Sequence, residues 1–152
     1  MPTEELFPIS RIRIEAFSHA TEDPSKVREA MLSIIPSSLR GKVKIKREML
    51  QGYYGNPIIV LRAVIKDPNM IRESIMQIAS KMDSLDKKLL ESTLDLRLDK
   101  SKTLYIRFSK EDAYYGNLVL KDHDDVIKVS ITFSSMIRKR EIKQICKELG
   151  LI

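Results

Sequence analysis

Hydrophobic and polar residues alternate with a period of two along Ile9-Ser10-Arg11-Ile12-Arg13-Ile14-Glu15-Ala16-Phe17. Ile12, Ile14 and Ala16 fall on one side and Arg11, Arg13 and Glu15 on the other, which predicts a strand with one solvated face. Thr21-Glu22-Asp23-Pro24 follows. Asp23 is suited to an N-cap and Pro24 to the first helical position, where its missing N–H costs nothing. Val27, Ala30, Met31 and Ile34 then recur at helical spacing until Pro36 ends the run.

The same grammar continues downstream. Val43 and Ile45 alternate with Lys42, Lys44 and Lys46, so a second strand is expected over Lys42–Lys46. A turn over Gln51–Pro57 leads into Ile58–Lys66, apolar on both faces for most of its length and therefore an interior strand. Asp67-Pro68 repeats the helix start, with Ile71, Ile75, Ile78, Ala79 and Met82 on one face. A short helix is expected over Ser84–Glu91, carrying Leu85, Leu89 and Leu90. Strands are expected over Asp95–Asp99, Thr103–Phe108 and Val126–Phe133. The stripe Ile142, Ile145, Cys146 and Leu149 predicts a last helix over Glu141–Leu149, closed by Gly150.

Strand and helix periods interleave along the whole chain, whose 152 residues suit one sizeable core. The expected fold is a single α+β domain over residues 1–152, with one mixed sheet, helices on one face and a polar opposite face. Tyr53-Tyr54-Gly55-Asn56 recurs as Tyr114-Tyr115-Gly116-Asn117 ahead of a second aliphatic run. This echo reads as repeated turn chemistry, because Gly permits unusual backbone angles and Asn bonds locally.

Charge adds direction. Lys and Arg number 27 against 21 Asp and Glu, a formal net charge of +6, which favours anionic partners. A start of Met1-Pro2-Thr3-Glu4-Glu5 lacks the basic and apolar stretches of a secretory signal, and no run is long enough for a membrane helix. The expected compartment is the cytoplasm, with no membrane association.

The residues offer little catalytic chemistry. A lone cysteine, Cys146, excludes an intramolecular disulfide and sits on an apolar stripe, as a small buried hydrophobe does. Asp122, His123, Asp124 and Asp125 lack the ordered spacing and glycine of a calcium loop, so they read as a solvated turn. Neither a P-loop nor a three-glycine dinucleotide turn is present. No catalytic residue, metal site or cofactor is expected, and the chain reads as a non-enzyme.

The basic pattern is more coherent. If the first two strands are neighbours, Arg11, Arg13, Lys42, Lys44 and Lys46 form a positive plane able to hold phosphates. Tyr53 and Tyr54 are candidates for stacking on unpaired bases. His19, outside any apolar stripe, is open to capping a turn, orienting a loop or touching phosphate. Arg138, Lys139 and Arg140 read as solvated helix surface.

Arg13-Ile14-Glu15-Ala16-Phe17-Ser18-His19-Ala20-Thr21-Glu22-Asp23 and Gly52-Tyr53-Tyr54-Gly55-Asn56-Pro57-Ile58 resemble a small archaeal family of predicted RNA-binding proteins, also described as a predicted exosome subunit. The resemblance spans most of the chain, including Asp125-Val126-Ile127-Lys128-Val129 and the final helix, and His-Ala-Thr-Glu-Asp is its most specific string. It implies a mainly antiparallel, curved sheet similar to the large-subunit ribosomal protein that grips the 5S ribosomal RNA. It also implies roles for His19, Thr21, Glu22 and Asp23 and for Tyr54, Gly55 and Asn56. Tyr54 stands where many relatives are expected to carry histidine, so an imidazole role does not transfer there.

Two functions remain open. One is an RNA-binding accessory protein, in RNA processing or exosome-linked decay, that contacts phosphates through a basic strand face within an RNA-processing complex. The other is a non-catalytic structural or adaptor protein with a protein partner. Neither specifies an oligomeric state.

Overall fold

The computed structural model describes residues 7–52 and 55–152. Five strands form its sheet: β1 (Ile9–Ser18), β2 (Lys46–Gln51), β3 (Pro57–Ile65), β4 (Thr103–Ser109) and β5 (Val126–Phe133). Their spatial order is β2-β3-β1-β5-β4. All four pairings are antiparallel. The expected mixed, curved sheet is therefore corrected to an open antiparallel one that is not strongly curled. The two edge strands, β2 and β4, lie at opposite ends of the order and do not pair with each other.

Register explains why one side of this sheet is dry. Ile12, Ile14 and Ala16 of β1 stand beside Ile65, Ala63 and Leu61 of β3 and beside Ile131, Val129 and Ile127 of β5. Leu104, Ile106 and Phe108 extend the same surface onto β4. All of these are buried, and the helices cover them. Helix α1 (Pro24–Leu32) contributes Val27, Ala30 and Met31, and α2 (Pro68–Lys81) contributes Ile71, Ile75 and Ile78. Both helices begin as their sequences require, each with an aspartate cap followed by proline. The Asp23 carboxylate accepts from the Ser25 amide and the Asp67 carboxylate from the Met70 amide, each at 3.0 Å.

Four elements depart from expectation. The strand expected over Lys42–Lys46 starts only at Lys46, because Ser37–Lys42 is a 3-10 turn. Arg40 holds that turn by donating Nε to the carbonyls of Leu32 at 2.9 Å and Ile35 at 3.3 Å. Asp95–Asp99 is not a strand: Leu94–Arg97 is a helical turn (α4), following α3 (Ser84–Ser92), and Leu98 alone bridges to Leu104. The Arg97 guanidinium donates to the Thr93 hydroxyl at 2.8 Å, a local bond that competes with strand pairing. Lys110–Tyr114 forms a short helix (α5) that hydrophobic spacing did not reveal. Lys139–Glu141 is a 3-10 turn that leads into α6 (Ile142–Glu148).

The repeated Gly-Asn turns share their chemistry. Gly55 and Gly116 have φ of +86° and +90°, the left-handed region that glycine enters without a side-chain clash. Cys146 is fully buried on α6, and burial pushes its thiol up to about 12, so it is an inert core residue.

Candidate nucleic-acid interface

The sheet face away from the helices carries a row of charges that crosses all five strands. Lys46 of β2 pairs in register with Arg62 of β3, Arg62 with Glu15 of β1, Glu15 with Lys128 of β5, and Lys128 with Arg107 of β4. With strands about 4.8 Å apart, this row is roughly 19 Å long. Arg11 and Arg13 extend the positive surface along β1, and Glu48 adds a second carboxylate on β2.

Glu15 organises the middle of the row. Arg62 Nε donates to its Oε2 at 2.6 Å and an Arg13 guanidinium nitrogen to the same oxygen at 3.3 Å. Burial pushes the Glu15 carboxyl up, but the Arg62 hydrogen bond and the charges of Arg62, Arg13 and Lys128 outweigh it and hold the group below the usual glutamate value. Among the described residues, Arg11, Lys46, Arg107 and Lys128 make no ion pair, so their charge is available to a ligand. Tyr105 adds an aromatic ring to the same face, with Lys128 Nζ 5.7 Å from its centroid. Its hydroxyl donates to Asp99 at 2.9 Å, which with burial raises the phenol above its usual value.

At the end of β1 the string His19-Ala20-Thr21-Glu22-Asp23 works as a structural junction. The Glu22 amide donates to the His19 carbonyl at 2.9 Å, and the His19 amide donates back to the Glu22 carboxylate at 3.0 Å. His19 Nε2 lies 3.5 Å from Asp125, and ligand atoms of His19, Glu22 and Asp125 all fall within 4.8 Å of one another. The Lys110 ammonium fills this acidic corner. It donates to both Glu22 oxygens, at 3.0 and 3.2 Å, and also to Asp125 and to the Phe17 carbonyl. The Lys110 hydrogen bond, opposed by some burial, holds the Asp125 carboxyl below its usual range. No catalytic cluster is evident among the described residues.

The structure regroups the residues singled out in the sequence. Arg11 and Arg13 do share the outer face of β1, but β3 separates them from β2, so the proposed neighbouring strands are corrected. Lys44 and Lys46 instead border a depression with Arg62 and Lys66. Lys42, exposed, ends the 3-10 turn. His19 sits half exposed at the rim of the sheet. Tyr53 and Tyr54 lie outside the described residues. Sequence reading missed Arg62, Arg107 and Lys128, whose alignment emerges only from the cross-strand register. Arg62 was hidden because it is the lone charge within the apolar run Ile58–Ile65.

Residues 11–133 match a family model described as RNA binding. The chain is 37% identical over 131 residues to the RNA-binding protein PAB1135 of Pyrococcus abyssi, a match covering 86% of this chain and 85% of that one. It is 33% identical over 149 residues to the uncharacterized protein MJ0213 of Methanocaldococcus jannaschii, covering 93% and 99%. Among solved structures, the DUF54 protein AF2318 of Archaeglobus fulgidus superposes with a TM-score of 0.80 at 27% identity, over 93% of this chain and 99% of that one. The expected likeness to a ribosomal protein is corrected accordingly, since the solved structures that this chain resembles include DUF54 and UPF0201 proteins and no ribosomal resemblance is shown. With a matched family model spanning most of its length and these relatives beside it, the chain belongs to an archaeal RNA-binding protein family.

Proposed function

We propose that this protein is a non-enzymatic RNA-binding module whose open sheet face holds phosphates. The observation that carries the reading is the register row Lys46–Arg62–Glu15–Lys128–Arg107, which spreads cations across a rigid surface with one paired carboxylate at its centre. A surface of this kind attracts any polyanion, and an RNA backbone fits it because binding to several fixed cations releases several counterions together. The polar face is left uncovered by the helices, which pack on the opposite side. The family match supports RNA as that polyanion.

Arg11, Arg13 and Lys44 widen the contact, and Tyr53 and Tyr54 are, by their sequence, candidates for base contacts. His19 serves the rim through its turn with Glu22. A role in RNA processing or exosome-linked decay is supported by the resemblance carried by the His19–Asp23 string. Titration with a short single-stranded RNA over a salt series tests the reading. Affinity is expected at about 1–100 µM near physiological salt and falls steeply as salt rises. Absence of binding at low ionic strength overturns it.

A further inference from the structure

On the outer face of β1, the position after Arg11, Arg13 and Glu15 is a phenylalanine. Phe17 is 42% exposed, although a strand facing water would ordinarily place a polar side chain there. Its neighbour in register on β3 is Val60, and since Ala16 pairs with Ile127, Val126 of β5 stands beside it on the other side. Val60 and Val126 are both buried, yet neither belongs to the core beneath the helices. They form a small apolar floor on the charged face, and Phe17 is its exposed member.

Phe17, Ile58 and Val126 line a depression of about 460 Å³ together with Arg107 and Lys128 of the charge row. Glu15, Asp124 and Asp125 also border it. Those carboxylates repel phosphate but accept hydrogen bonds from base amino groups, whereas Arg107 and Lys128 favour phosphate. One depression therefore offers acceptors for base amino groups beside cations for a phosphate.

We propose that Phe17 is the stacking platform for one unpaired base of the bound RNA, with Arg107 and Lys128 holding an adjacent phosphate. The inference rests on the RNA-binding reading and adds selectivity for unpaired over duplex RNA. A base within a duplex is already stacked and cannot lie on the ring, while an unpaired base gains contact with a fixed aromatic face.

The chain contains no tryptophan, so Phe17→Trp introduces a single fluorescent reporter at the site. Stacking is expected to quench its emission as a single-stranded oligonucleotide is added, while inorganic polyphosphate competes for binding without quenching. Phe17→Ala is expected to weaken single-stranded binding by about 5–100-fold and to leave duplex binding nearly unchanged. Equal loss for both RNAs, or no loss for either, overturns the inference while the RNA-binding reading stands. If Phe17→Ala does not fold by circular dichroism, absence of quenching in Phe17→Trp overturns it. An emission shift on raising protein concentration without RNA assigns the patch to a second copy and also overturns it. Failure of the unsubstituted protein to bind any RNA instead removes the reading on which the inference rests.

Discussion

Arg62 Nε and Glu15 Oε2 lie 2.6 Å apart on residues that face each other across β3 and β1. This contact opposes binding even as it stabilises the sheet, because it places a carboxylate and its paired guanidinium in the middle of the cationic row. Glu15→Gln removes that negative charge and weakens the bond. The variant is expected to lose about 1 kcal/mol of stability, a charged hydrogen bond discounted for the partly exposed arginine, and to bind RNA more tightly at low salt. The pH dependence has a definite sign. Because the folded carboxyl titrates below the ordinary value of 4.5, its contribution is complete above that value and is lost as pH falls through the lower folded one. Urea melts in that acid range are expected to fall less steeply for Glu15→Gln than for the parent. Parallel curves would remove the assigned role.

Lys110 ties two distant segments together: its ammonium joins Glu22 and Asp125 to the Phe17 carbonyl, with its side chain only 10% exposed. Lys110→Met leaves the two carboxylates facing each other without their cation. The expected loss is about 1–3 kcal/mol by urea denaturation, kept moderate because Asp125 is half exposed. With the ammonium gone, His19, Glu22 and Asp125 retain ligand atoms within 4.8 Å of one another. Added Zn2+ is therefore expected to raise the melting temperature of the variant and not of the parent. A rise in both would show that the corner takes a metal despite Lys110.

The strongest periodic signals translated directly into structure. β1, β5, α1 and α2 follow from alternation or from an Asp-Pro start backed by a helical stripe, because burial and capping act along a single segment. Lys42–Lys46 failed for the opposite reason. Alternation there reflects real burial of Val43 beside exposed Lys42 and Lys44, but Arg40 completes a turn instead of a strand. The candidate site was only half legible. Arg11 and Arg13 declare their face by local alternation, whereas the row through Lys46, Arg62, Lys128 and Arg107 depends on which strands are neighbours and in what register. Neither is written in any one segment. Lys110 was similarly hidden, since its partners Glu22 and Asp125 lie 88 and 15 residues away.

The register row also determines which basic residues should matter most. Arg107 and Lys128 are adjacent on β4 and β5, held by regular strands and without an ion pair among the described residues. Lys42 and Lys44 lie before β2, in the 3-10 turn and the link that follows it, where they are exposed and outside the hydrogen-bonded sheet. Arg138 and Lys139 belong to the turn that leads into α6, with the Arg138 amide engaged by Glu141 at 2.8 Å. Ordered cations lose less freedom on binding, so they return more of their electrostatic attraction as affinity. Arg107→Ala with Lys128→Ala is expected to reduce the logarithmic salt slope for single-stranded RNA by roughly 0.7, as the loss of the one phosphate they hold together requires. The Lys42/Lys44 double alanine should reduce it by less, and the Arg138/Lys139 pair should leave it unchanged. Titrations of the three variants at matched salt, with circular dichroism to confirm folding, rank the surfaces directly. A normal slope for the Arg107/Lys128 variant beside a reduced one for Arg138/Lys139 would move the RNA site from the sheet to the entrance of α6.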